Sequence, residues 1–146
     1  MEKHEIEILL IEDNPYEAEL TIRSLKKHNL ANRLKHIDDG EEALEFIYSN
    51  DPILPFNPKL ILLDLKLPKV DGLDILRRLK SSDSTKSIPV VVLTSSKEEK
   101  DIIESYKLGV NSYIVKPVNF ESFAQAISEL GLYWLLLNQH PTEKAD

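Results

Sequence analysis

Residues 60–68 read Leu60-Ile61-Leu62-Leu63-Asp64-Leu65-Lys66-Leu67-Pro68, and the four apolar residues that open the stretch stop abruptly on an aspartate. A strand that is apolar at every position has no face to offer water, so it belongs inside a sheet covered on both sides. The pattern recurs along the chain: Ile8 to Ile11 ends on Glu12 and Asp13, Val90 to Leu93 on Thr94, and Tyr113 to Val115 on Lys116. Helical segments alternate with these runs, and such alternation calls for a parallel sheet with right-handed crossovers and helices on both faces. In an open sheet of that kind, ligands bind outside the carboxyl ends of the strands. Three carboxylates, a hydroxyl and a lysine are thereby expected in one pocket. Acids gathered this closely repel one another and their pKa values rise unless a cation neutralises them, and hard oxygen donors favour Mg²⁺. The predicted chemistry is metal-assisted phosphoryl transfer.

Most helices announce their starts. In Asn14-Pro15-Tyr16-Glu17, Asn14 suits the N-cap, Pro15 the first turn and Glu17 the reciprocal capping position, with a helix to about His28. A second strand over 33–37 leads to Asp39, which is expected to cap a helix through about Tyr48. A third helix follows Asp71 with Leu73, Leu76 and Leu79 as its apolar stripe. Ser96-Lys97-Glu98-Glu99 reads as a capping box for a fourth, and Gly109 falls where a left-handed C-terminal residue is wanted. From Asn119 a fifth helix carries Phe120, Phe123, Ala124, Ile127 and Leu130 on one face. Between Ser49 and Lys59, Pro52, Pro55 and Pro58 preclude a regular element and indicate a long surface loop.

The chain has 146 residues, the size of one domain (1–146, with a core over about 6–130), so any output domain is expected on another molecule. Lys and Arg number 18 against 25 Asp and Glu, and the net charge of −7 disfavours general binding to nucleic acid or anionic membranes. No cysteine is present, which excludes disulfides, thiol catalysis and thiolate metal sites. No apolar run approaches the roughly 20 residues of a membrane span, so a cytoplasmic protein is expected. There is no Gly-x-Gly-x-x-Gly or Walker A segment to support nucleotide binding.

From Ile6 to about Leu130 the chain resembles the receiver domain of two-component response regulators. The resemblance is carried by Leu9-Leu10-Ile11-Glu12-Asp13-Asn14, Leu62-Leu63-Asp64-Leu65-Lys66-Leu67-Pro68, Asp71-Gly72, Leu93-Thr94-Ser95 and Tyr113-Ile114-Val115-Lys116-Pro117. It implies a flavodoxin-like (βα)5 fold of class α/β, with five parallel strands in the order 2-1-3-4-5. It also implies that Asp64 accepts a phosphoryl group from a sensor histidine kinase, in a reaction the protein catalyses on itself alone. Glu12, Asp13, Asp64 and the backbone carbonyl of Lys66 would hold Mg²⁺, with Asp13 the more direct ligand of the acidic pair. Lys116 would pair with the phosphoryl group, turned into the pocket by a cis peptide before Pro117. Thr94 and Tyr113 would form the switch, the hydroxyl moving toward the phosphoryl group and the ring filling the space it leaves. Lys66 and Lys69 are expected near the acceptor, and Tyr16, Pro117 and Val118 as kinase contacts.

The C-terminal extension, 131–146, departs from a plain receiver, because Leu132-Tyr133-Trp134-Leu135-Leu136-Leu137 is apolar on every side. Two fates are open to it: burial under the long loop around Phe56, or a homodimer interface through Trp134, Leu135 and Leu137, the latter favoured. Small stand-alone receivers that partner bacteriophytochrome-like kinases are similar in this tail and in the long loop. Two other functions compete. A Mg²⁺-dependent phosphohydrolase with an aspartate nucleophile would want Asp-x-Asp, whereas this chain has Asp64-Leu65-Lys66. A phosphate-independent interaction module would have little reason to assemble repelling carboxylates.

Overall fold

The computed structural model describes residues 5–30, 33–49, 56–132 and 136. Strand and helix alternate throughout as β1 (Ile8–Ile11), α1 (Pro15–Lys27), β2 (Leu34–Ile37), α2 (Gly40–Tyr48), β3 (Leu60–Leu63), α3 (Gly72–Ser81), β4 (Val90–Thr94), α4 (Glu99–Lys107), β5 (Ser112–Val115) and α5 (Phe120–Glu129). The sheet has five strands in the order β2-β1-β3-β4-β5, every pair parallel. Register aligns the strand ends: Ile11 lies opposite Leu63, and Leu63 opposite Val92. The residues just beyond these strands therefore emerge along one edge.

Because side chains alternate across a strand, each apolar run feeds two cores. Leu9, Ile11, Ile61, Leu63, Val90 and Val92 pack under α2 and α3, meeting Ala43, Ile47, Ile75, Leu76 and Leu79. Ile8, Leu10, Leu60, Leu62, Val91 and Leu93 face the other way, toward Ala18 and Leu25 of α1 and Phe123 and Ala126 of α5. The buried stripe of α3 centres on Ile75, Leu76 and Leu79, with Leu73 only partly covered, a slight rotation from the expected one. Leu136 of the tail joins the second core with Leu132 packed beside it, so that part of the apolar run is covered by the chain itself. Trp134, Leu135 and Leu137, the expected interface residues, lie outside the described residues, as do the side chains of Phe120 and Ile127 and most of the proline-rich loop. Of that loop, Phe56 is buried edge-on against Phe46, with ring centroids 5.8 Å apart.

Asn14 and Asp39 cap their helices as expected, Asp71 and Asn119 cap the helices that follow them, and Gly109 takes the left-handed φ of 99° just beyond α4. Two capping expectations are corrected. The helix α4 begins one residue after Glu98, which makes no side-chain cap bond, while Ser96 Oγ turns to Asp101 Oδ2 at 2.6 Å. The same Oγ accepts the Glu98 N–H at 3.3 Å, so the hydroxyl serves both, and the carboxylate one turn into the helix is its charge-assisted partner. Nor does Glu17 reach back to cap Asn14: the Asn14 N–H donates to Glu12 Oε2 at 3.2 Å, and Glu17 is drawn toward Lys116.

Candidate functional site

The chain ends each of three strands on a charged or hydroxyl side chain, and the common register delivers them to one place. Glu12 follows β1, Asp64 follows β3 and Lys116 follows β5; all three are nearly inaccessible, with side-chain exposures of 2%, 6% and 7%. The Lys116-Pro117 peptide is cis, as expected. Lys116 Nζ donates to Glu12 Oε1, to Asp64 Oδ2 at 3.0 Å and to Glu17 Oε2 at 3.3 Å. The second oxygen of Asp64 is also held, because the Lys66 N–H donates to Oδ1 at 3.0 Å. Asp64 is thus fixed from both sides.

The electrostatics follow from burial. Desolvation pushes the Glu12 carboxyl up from 4.5 to about 7; the Lys116 hydrogen bond works against this and the Asp64 carboxylate beside it works for it. For Lys116, burial alone would lower the pKa, but the hydrogen bonds to Glu12 and Asp64 outweigh it and hold the ammonium above its ordinary value. The Glu12 backbone is anchored as well, its carbonyl accepting from His36 Nε2 of β2 at 2.8 Å.

Oxygens from Glu12, Glu17 and Asp64 all lie within 4.8 Å of one another, a hard-donor set that suits a divalent cation such as Mg²⁺. Among the described residues Asp13, the expected ligand, is not part of this group; it is half-buried beside it, and Glu17 from the first turn of α1 stands in the cluster instead. The sequence signal for Glu17, an acid three residues into a capped helix, had a ready explanation in capping and so concealed its place in the pocket.

Thr94 is fully buried at the end of β4, and its Oγ1 accepts the Ser96 N–H at 3.3 Å. The Tyr113 hydroxyl donates to the Ser96 carbonyl at 3.0 Å, and the ring packs partly buried against the α2–α3 side of the sheet. Ser96 joins these two residues to α4 through Asp101, whose carboxylate also lies 3.7 Å from Lys66 Nζ. Lys69 instead pairs with Asp39 at 3.1 Å. A chain of polar contacts therefore leads from Asp64, through Lys66, Asp101 and Ser96, to Thr94 and Tyr113. The sequence marks Ser96 only as part of a cap and does not single out Asp101.

Gly72 closes the site from below. A β-carbon there would fall 2.4 Å from Leu65 Cα and 2.6 Å from the Asp64 carbonyl oxygen, so α3 approaches the acceptor loop more closely than any other residue permits. At the mouth, Glu17, Leu20, Thr21, Ser24, Lys116, Pro117 and Val118 line a largely apolar groove of about 300 Å³, and Tyr16, in the first turn of α1, is exposed.

A five-stranded 2-1-3-4-5 sheet carrying an acid and lysine cluster on its carboxyl edge defines a receiver. Residues 8–128 match the response regulator receiver domain family, and the chain belongs to it. Over 133 residues it is 39% identical to the response regulator Rcp1 of Synechocystis sp. (strain ATCC 27184 / PCC 6803 / Kazusa), covering 88% of each chain. It is also 39% identical over 134 residues to the probable methanogenesis regulatory protein FilR2 of Methanothrix harundinacea (strain 6Ac), covering 92% of this chain and 86% of that one. Among solved structures, the bacteriophytochrome response regulator AtBRR superposes with a TM-score of 0.77 at 50% identity, covering 92% of this chain and 99% of that one. The Mn²⁺-bound form of Rcp1 superposes with a TM-score of 0.72 at 37% identity, covering 92% and 97%. The protein is a two-component receiver that works in phosphorelay signalling with a sensor kinase, and its acidic pocket is of the kind that binds a divalent metal.

Proposed function

We propose that Asp64 is the phosphoacceptor and that the protein catalyses only its own phosphorylation and dephosphorylation. One observation carries this: each carboxylate oxygen of Asp64 is held separately, one by the Lys66 N–H and one by Lys116 Nζ, at the buried end of β3. A carboxylate is a workable nucleophile toward phosphorus when its charge and direction are set in advance. Attack on a phosphohistidine forms the new O–P bond as the P–N bond breaks, and the electron pair leaves with the imidazole of the donor. Lys116 pairs with the oxygens of the transferred group, and the Thr94 hydroxyl, donating away from the Ser96 N–H it accepts, binds another. Glu12 and Asp64, with Asp13 and the Lys66 carbonyl, would hold Mg²⁺, which when bound neutralises charge on the phosphoryl oxygens.

The Tyr113, Ser96 and Asp101 contacts support an output in which the new charge on Asp64 biases the position of α4 and β5. The groove lined by Lys116, Pro117 and Val118 suits the histidine-bearing segment of a kinase, which must reach Asp64, with the exposed Tyr16 as a further contact. The likeness to a bacteriophytochrome response regulator supports a phytochrome-like kinase as the donor and a cytoplasmic location for this protein. The net charge of −7 supports output by protein contact rather than by binding nucleic acid. The apolar tail supports a homodimer through Trp134, Leu135 and Leu137. Sedimentation then shows a dimer that Trp134→Ala weakens; a monomeric parent removes that part of the reading.

The deciding experiment is intact mass after incubation with Mg²⁺ and a small phosphoryl donor. One phosphate adduct is expected on the parent, and none on Asp64→Asn or without metal. An adduct that persists on Asp64→Asn, or sustained phosphate release from a phosphomonoester, overturns the proposal.

A further inference from the structure

We infer that Glu17 is a positioning residue of the phosphoacceptor pocket: it is the carboxylate that keeps Lys116 in place when a divalent cation takes over Glu12 and Asp64. This rests on the reading of the pocket given above and deepens it. An ammonium has three N–H donors, and those of Lys116 face three carboxylates, on Glu12, Asp64 and Glu17. The first two belong to the buried strand ends. Glu17 belongs to the first turn of α1, and its side chain is 37% exposed, at the mouth.

A divalent cation and an ammonium cannot share the same carboxylate oxygens without strong like-charge repulsion at a few ångströms. Cation binding to Glu12 and Asp64 therefore requires Lys116 to let go of them. Left without a partner, a buried ammonium would resist that release. Glu17 removes the obstacle. Its carboxylate is not engaged in capping α1, because Glu12 Oε2 takes the Asn14 N–H and Asn14 Oδ1 takes the Glu17 N–H at 3.0 Å. Its place in the first turn also holds its negative charge favourably against the helix N-terminus. An ammonium drawn to Glu17 stays beside Pro117 and Val118, at the groove through which a phosphoryl group must enter.

Isothermal titration of the metal-free protein with Mg²⁺ tests this without any phosphoryl chemistry. Glu17→Gln keeps size and helix and is expected to weaken Mg²⁺ binding about five- to tenfold, with Glu17→Asp restoring most of it. In a Lys116→Gln background the effect of Glu17→Gln should shrink to about twofold or less, because the residue acts through Lys116. Parent-like affinity in Glu17→Gln overturns the inference while leaving the pocket reading intact. An undiminished effect in the Lys116→Gln background also overturns it, by making Glu17 a direct ligand. Absence of Mg²⁺ binding by the parent overturns both the inference and the pocket reading.

Discussion

The helices α3 and α4 lie side by side, tied by Arg77 to Glu104 at 3.3 Å, yet they are seated in opposite ways. The inner face of α3 is Ile75, Leu76 and Leu79, all fully buried against the sheet, and its N-terminus is locked to the acceptor loop by the Gly72 approach. The buried residues of α4 are Asp101 and Ser105, while Ile103 and Tyr106 face solvent. Apolar burial is worth about 1.5–3 kcal/mol per large side chain and is indifferent to direction; hydrogen bonds net about 1 kcal/mol and depend on geometry. The first helix is therefore a fixed wall of the site, and the second is held by direction-dependent polar contacts, as the proposed switch requires. That difference supports the proposal that α4 and β5 form the responsive surface of the molecule.

The contrast can be broken most forcefully at Leu76. Leu76→Ala, which opens a cavity in the larger core, is expected to cost about 3–4 kcal/mol in denaturant unfolding; a loss under about 1 kcal/mol would mean α3 is not the anchor described.

The Glu12 cluster at the strand ends carries a pH-dependent contribution next in size. The Glu12 pKa is raised by burial from 4.5 to about 7, so the fold favours the protonated carboxyl, and this contribution to stability is present below about 4.5 and lost as pH rises through about 7. For the metal-free protein the loss is at most about 3 kcal/mol. A divalent cation needs the ionised carboxylate. The rise in melting temperature caused by Mg²⁺ should therefore be larger at about pH 8 than at about pH 5.5. Equal rises at both would show that Glu12 is not the group that titrates.

Asp101→Ala removes the charge-assisted bond from Ser96 and the pairing with Lys66, and is expected to cost about 1–2 kcal/mol. Phosphate acceptance at Asp64 should survive it, because Asp101 does not touch the Lys116 cluster, while amide exchange in α4 should speed up relative to α3. Unchanged exchange in α4 would separate that helix from the polar chain. The smallest effect is expected at Ser105, whose buried Oγ has no hydrogen-bond partner among the described residues. Ser105→Ala should be neutral or stabilising by up to about 1 kcal/mol, and a destabilisation beyond that would indicate a partner for this hydroxyl.

Much of this was legible in the chain. Leu60 to Leu63 had to be a central strand because no polar residue interrupts it, and Asn14, Asp39, Asp71 and Asn119 marked helix starts because each offers a short side-chain acceptor to orphan amides. Ser96 and Glu17 were misread for a shared reason. Both fit a local capping pattern, but each has a charged partner that the pattern does not name: for the serine Asp101, five residues on in α4, and for the glutamate Lys116, ninety-nine residues along the chain. Pattern reading matches side chains to backbone amides of the same turn, whereas a charged side chain brought within reach by the fold forms the stronger contact.

The sequence by itself determined the alternation of elements, the residues that cross each sheet face, and the convergence of Glu12, Asp64, Thr94 and Lys116 on one edge. All of these follow from strand periodicity and the parallel connection rule, which are local properties summed along the chain. Only the tertiary structure decided which carboxylates share Lys116, that Gly72 must pass against Leu65, and that α4 is seated on Asp101 and Ser105. Those outcomes depend on distances of a few ångströms between atoms set far apart in the chain, where desolvation and charge pairing decide which contact forms.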